Sequence, residues 1–106
     1  MAPGLRSDVR RRMEVLRASL ASVGYATRIT STYRSFSEQR ALYAAWKAGR
    51  SRYPAAAPGT SKHELGLAFD LAGSNEALAV AGYVAPHLGL RWGGTFSTPD
   101  VVHFEA

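Results

Sequence analysis

The stretch from Ser61 to Asp70, Ser-Lys-His-Glu-Leu-Gly-Leu-Ala-Phe-Asp, constrains this chain more than any other. His63 and Asp70 stand seven positions apart in it. Read as a strand over 66–71, it places Gly66, Ala68 and Asp70 on one face and Leu67, Phe69 and Leu71 on the other. The second face is apolar and belongs against a core. The first bears one carboxylate among small residues, which leaves space on the sheet for a metal ion with its water. His63, just before the strand, can curl back over the same spot. Taken alone, the spacing also reads as an ordinary hydrogen-bonded His–Asp pair.

A third ligand candidate comes from Asp100-Val-Val-His103-Phe-Glu105 near the C-terminus. Two histidines and one carboxylate, with a fourth position left open, form a catalytic zinc arrangement. Asp100 precedes His103 by three residues, where it can act as a base on an attacking water. The chain has no cysteine. Thiolate ligands and disulfides are therefore excluded, and any zinc must be held by His and carboxylate.

From about Thr30 onward, three separated motifs occur in order: Tyr33-Arg-Ser-x-x-x-Gln39, Ser61-x-His-x-x-Gly-x-Ala-x-Asp70 and Asp100-x-x-His-Phe-Glu105, with Arg91-Trp-Gly-Gly94 before the last. In these the chain resembles the zinc D,D-carboxypeptidase and L-alanyl-D-glutamate endopeptidase family, which cuts the peptide stems of bacterial cell walls. The resemblance implies Zn2+ held by His63, Asp70 and His103, with Asp100 as the catalytic base. It implies that Arg34 binds substrate and stabilises charge on the carbonyl under attack, which suits a permanently charged, planar guanidinium. Gln39 and Ser61 match substrate-contacting positions. Each has a plainer alternative, a solvated helix residue for Gln39 and a turn cap for Ser61. Many relatives carry Glu where Asp100 stands, so Glu105 is kept as the alternative base. Glu105 also reads as a partner that orients His103, or as a surface charge.

The combination is most similar to the L-alanyl-D-glutamate endopeptidases, phage lysins included. A D-alanyl-D-alanine carboxypeptidase is the competing enzyme. A non-catalytic, zinc-stabilised wall-binding module is the reading from another class, and intact Asp100 and Arg34 argue against it.

The length of 106 residues suits one domain, 1–106. The fold class expected is α+β: a small, mainly antiparallel sheet with the zinc site on one face and helices on the other, as in D,D-peptidase and hedgehog-like folds. The net charge of +5 favours anionic partners such as nucleic acid or the bacterial wall. There is no aromatic-and-basic RNA-binding motif and no zinc-finger spacing, and Arg10-Arg11-Arg12 falls on a helix face. The partner expected is a peptidoglycan peptide, with no nucleic acid and no membrane, bound by a monomer. No apolar run reaches membrane-spanning length. Met1 to Asp8 lacks the apolar core of a signal peptide. The expected place of action is the wall, reached by phage-type release or with a leader that is missing.

In detail, helices are expected at 8–23 (Ser7 as cap; Val9, Met13, Leu16 and Leu20 inward), at 36–48 (Ser35/Glu38 capping box; Leu42, Ala45 and Trp46 on one side) and at 76–88, ending near Pro86. Strands are expected at 25–32, 90–92 and 101–105, and residues 50–62 as a loop forming one wall of the cleft.

Overall fold

Four short antiparallel strands in the order β1-β2-β4-β3 carry the molecule: β1 (Arg28–Ser31), β2 (Ala68–Ala72), β3 (Arg91–Trp92) and β4 (His103–Glu105). Three helices accompany them, α1 (Ser7–Ser22), α2 (Phe36–Lys47) and α3 (Asn75–Val84), with 3-10 turns at Lys62–Leu65, Ala85–Leu88 and Gly93–Thr95. The structure is a computed structural model and describes residues 4–106.

One sheet face makes the core. Phe69 and Leu71 of β2 and Phe104 of β4 are fully buried there. The Phe69 and Phe104 rings stack with centroids 5.5 Å apart. Val9, Met13, Leu16 and Leu20 cover them from α1, and Leu78 and Ala81 from α3. The helical spacing of those four α1 residues predicts this stripe, and all four are buried. Deleting a ring such as Phe69 would cost about 3–5 kcal/mol, because the cavity left adds to the lost transfer energy.

The capping box predicted at Ser35 and Glu38 is present in both directions. Ser74 caps α3 by accepting from Ala77 N–H at 3.0 Å. Pro86 falls in the 3-10 turn that follows α3, where its missing N–H breaks no α-helical bond.

Four expectations need correction. Ser7 is the first helical residue rather than the cap; Arg6 holds the cap position, with no side-chain bond. The strand expected over 25–32 is only Arg28–Ser31, because it lasts only as long as β2 can pair with it. The strand expected over 101–105 is only His103–Glu105, because Val101 and Val102 form the turn before it. Gly66 is not on β2: it ends the 3-10 turn in the left-handed region (φ 70°). A Cβ there would lie 2.6 Å from the Gly4 carbonyl oxygen. Its smallness admits the segment before α1 rather than leaving room on the sheet.

Candidate active site

The second sheet face gathers the polar residues, and three local devices aim them. His63 sits in the 3-10 turn Lys62–Leu65. Ser61 caps that turn by accepting from His63 N–H at 3.2 Å, and Glu64 accepts from Ser61 N–H at 3.4 Å and Gly59 N–H at 2.9 Å. The capping alternative for Ser61 is thus what its hydroxyl oxygen does, and Glu64 ties down the preceding loop. Asp70 and His103 are directly opposed on β2 and β4, so their side chains share a face. A bulge supplies the third device. Ile29 pairs with Leu71 but Ser31 pairs with Asp70, so Thr30 is an extra residue. The bulge turns Ser31 to the Asp70 face while Ile29 stays on the Leu71 face.

His63, Asp70 and His103 each offer a ligand atom, and the three atoms lie within 4.8 Å of one another. Asp70 Oδ1 is 3.2 Å from His63 Nε2 and 3.4 Å from His103 Nδ1. The other ring nitrogens decide what these short distances mean. His63 Nδ1 is 2.7 Å from the Thr32 carbonyl, which can only accept, so Nδ1 carries a proton. His103 Nε2 is 2.8 Å from the Glu105 carboxylate and carries one likewise. In the neutral imidazoles, His63 Nε2 and His103 Nδ1 are then lone pairs, and both face Asp70 Oδ1. That oxygen is buried and has no hydrogen-bond partner. Three lone pairs converging on one point repel unless a proton or a cation lies between them. The donor set, two imidazoles and a carboxylate, fits zinc.

The charges agree. Burial alone would raise the Asp70 carboxyl, but the imidazoles of His103 and His63, which donate to it once protonated, and the charge of Arg34 hold it well below the usual carboxylate range. It stays ionised. Burial would lower His103, yet its bonds to Asp70 and Glu105 raise it above 6.5.

Arg34 donates to Asp70 Oδ2 at 3.0 Å, to Ser31 Oγ at 3.1 Å and to Gln39 Oε1 at 3.3 Å. Gln39 is 1% exposed, and its amide nitrogen donates to the Ala56 carbonyl at 2.9 Å. It is not the solvated helix residue of the plain alternative. Both ends of its amide are occupied, so it stands behind Arg34 rather than open to a ligand.

Asp100 lies at the edge of the cluster, where its carboxyl senses Asp70, His103, His63 and Arg34. Burial, and then the charge of Asp70, raise it. Its backbone is clamped: Asp100 N–H donates to the Gly93 carbonyl at 2.8 Å, and its own carbonyl accepts from His103 N–H at 3.1 Å. A Cβ on Gly93 would strike the Asp100 carbonyl oxygen and stand 3.0 Å from His103 Cβ. Glu105, kept above as an alternative base, bonds the ring nitrogen of His103 that points away from Asp70. It therefore lies behind the imidazole and not over the cluster. Arg91 reaches Glu105 at 3.4 Å. His87 is exposed and is not one of the converging ligand residues.

The donor set is that of a single-metal site with room for a further ligand. The chain belongs to the D-alanyl-D-alanine carboxypeptidase family, VanY, which it matches over residues 3–88. That span holds Arg34, Gln39, Ser61, His63 and Asp70 and stops before Asp100 and before His103, which joins the cluster through the pairing of β4 with β2.

Solved structures share the fold. The LD-carboxypeptidase LdcB is 24% identical with a TM-score of 0.78, over 97% of this chain and 65% of that one. A vancomycin-resistance D,D-pentapeptidase VanY from a VanB-type cassette, solved with Zn(II), is 19% identical with a TM-score of 0.78, over 95% of this chain and 71% of that one. The Serratia marcescens L-Ala D-Glu endopeptidase ChiX is 23% identical with a TM-score of 0.69, over 96% of this chain and 80% of that one. Against LdcB, then, the chain spans just under two thirds of its relative's length. Among curated proteins none matches the sequence. Among the described residues no helix is long and apolar enough to cross a membrane.

Proposed function

We propose that this chain is a zinc peptidase that hydrolyses the stem peptides of peptidoglycan, with L-alanyl-D-glutamate endopeptidase as its specific activity. The observation that carries the reading is the convergence of His63 Nε2, His103 Nδ1 and the unpartnered Asp70 Oδ1, with Arg34 and Asp100 beside them.

His63, Asp70 and His103 hold the cation. A divalent zinc bound there supplies Lewis acidity, which makes water a nucleophile near neutral pH and polarises a carbonyl. The remaining work belongs to the chain. Asp100, ionised and partly desolvated, takes a proton from the attacking water and returns it to the leaving amine. Arg34 points donors at the developing negative charge of the carbonyl oxygen. Ser31 and Gln39 keep its guanidinium in place. Ser61 fixes the turn that presents His63. Glu105 sets the His103 tautomer.

Between the two enzyme readings, the state of Arg34 favours an internal bond. Its guanidinium is already paired with Asp70 Oδ2 at 3.0 Å. A substrate's terminal carboxylate would compete with that pair, whereas an internal carbonyl oxygen would not displace it. The motif similarity points the same way. The second reading, a D-alanyl-D-alanine carboxypeptidase, is favoured by the family match.

Digestion of purified cell wall, with and without a chelator, tests the proposal. Newly freed D-glutamyl amino termini, absent with chelator, are expected. Free D-alanine in their place would install the carboxypeptidase, and no product in either arm would sink both.

A further inference from the structure

A groove of about 640 Å³ runs beside the metal ligands rather than over them, between the free edge of β1 and the first turns of α2. β1 is the outermost strand, paired with β2 on one side only. Tyr33 continues its line, and the residues flanking Tyr33 are committed inward. The Thr32 carbonyl faces His63 Nδ1 at 2.7 Å, and Arg34 N–H donates to the His63 carbonyl at 3.2 Å. Alternate residues of an extended chain turn their backbone groups to opposite sides, and Tyr33 lines the groove. Among the described residues its own N–H and C=O have no hydrogen-bond partner. A donor and an acceptor from one residue, side by side along an open edge, are what an added strand pairs with. The opposite wall is low, formed by Ala41, half-exposed Leu42 and Glu38. At one end stands Arg34, which also touches Asp70.

We propose that this groove takes the substrate peptide on one side of the cleaved bond, as an extended segment paired with the backbone of Tyr33 and resting on Ala41 and Leu42. The inference rests on the peptidase reading and deepens it. It makes the chain a reader of peptide length and backbone, since pairing through main-chain groups asks little of side-chain identity. Arg34 is the junction. It ends the groove and, through Asp70 Oδ2, borders the catalytic cluster, so a segment in the groove ends beside that cluster.

The test compares a blocked dipeptide spanning the scissile bond with peptides lengthened by three residues on either side. Lengthening on one side only should lower KM about tenfold in the wild type, the worth of two backbone hydrogen bonds. Ala41→Trp fills the groove from an exposed helix position. It should raise KM for the lengthened peptide about tenfold, and by much less for the dipeptide. A second measurement leaves the protein untouched: N-methylation of the one peptide amide that pairs with the Tyr33 carbonyl should raise KM similarly, and methylation of the next amide should not. The proposal is overturned if the wild type cleaves long and short peptides alike, or if every N-methyl position is tolerated. If the wild type cleaves none of the peptides, the peptidase reading falls and this inference falls with it.

Discussion

Glu105 grips His103 from behind: Oε1 lies 2.8 Å from Nε2, which leaves Nδ1 to face Asp70. Without that bond the imidazole is free to rotate or change tautomer, and one of three converging lone pairs is lost. The carboxylate also makes His103 a better donor to a cation.

Glu105→Gln keeps the volume and an acceptor oxygen but removes the charge. Zinc affinity, measured by competition with a chromogenic chelator, is expected to drop about 10–100-fold with the fold intact. Arg91→Ala should matter far less, because its pair with Glu105 is long at 3.4 Å and the arginine side chain is 69% exposed. Equal affinity in Glu105→Gln and wild type would remove Glu105 from the metal centre.

Proton and cation compete for the same pocket, and the sign of that competition is testable. His103 has its folded-state value raised above 6.5. In the chelated protein its proton therefore contributes stability that is complete below about pH 6.5 and is lost as pH rises through the folded value. Asp70 works the other way. Its value is depressed, so its contribution is present above about pH 3.9 and disappears only in strong acid. A cation needs His103 deprotonated, so its binding strengthens as pH rises. Thermal melts at pH 6 and pH 8 should show the chelated protein losing stability over this interval, while the gap between zinc-loaded and chelated protein widens. A gap that narrows with pH would contradict the ligand assignment.

Much of this was written in the sequence, and the division is physical. Periodicity revealed the α1 stripe because a helix repeats its contacts every turn, and Ser35 with Glu38 revealed a helix start because capping is local. The candidate ligands were legible through motif resemblance, and their common face followed from strand pairing. What escaped were close approaches between segments distant in the chain. Gly66 looked like space for a metal, and it is space for the Gly4 carbonyl. Gln39 looked like a ligand contact or a solvated residue, yet it bridges Arg34 to the Ala56 carbonyl. Gly82 and Gly94 lie where any Cβ would enter the Trp92 ring, and nothing in their neighbours announces it. Pairing across long loops sets these positions, and no local signal encodes them. The bulge at Thr30 is of the same kind, since only the partner strand shows the extra residue.

Gly93 is a second point of control on the site. A methyl group there would drive into the Asp100 carbonyl and crowd His103. Gly93→Ala is expected to destabilise the protein by about 1–3 kcal/mol, the usual cost of overpacking. It should also lower kcat more than zinc affinity, because His103 is held by β4 pairing whereas Asp100 sits in the exposed turn that must yield. Denaturant melts and steady-state rates on one wall peptide check both halves. Unchanged stability together with unchanged kcat would mean that the turn has room the structure does not show.

Asp100 itself separates a peptidase from a zinc-stabilised binding module. Its carboxyl feels the charges of Asp70, His103, His63 and Arg34, yet it is not one of the three converging ligand atoms. If it moves the proton, Asp100→Asn should lower kcat by about 10²–10⁴-fold, the usual worth of a positioned base. Zinc content should stay near the wild-type level, because no ligand is lost. Asn retains the size and the backbone clamp to Gly93, so the thermal midpoint should hardly move. The contrast with His63→Ala is the control. That change deletes a ligand and should reduce metal content and the zinc-dependent part of stability together. A binding module would show the reverse pattern for Asp100→Asn: wall binding unaltered and no hydrolysis to lose. Measuring metal content, melting and wall hydrolysis on the same three proteins therefore decides whether the carboxylate beside the cluster does chemistry or merely borders it.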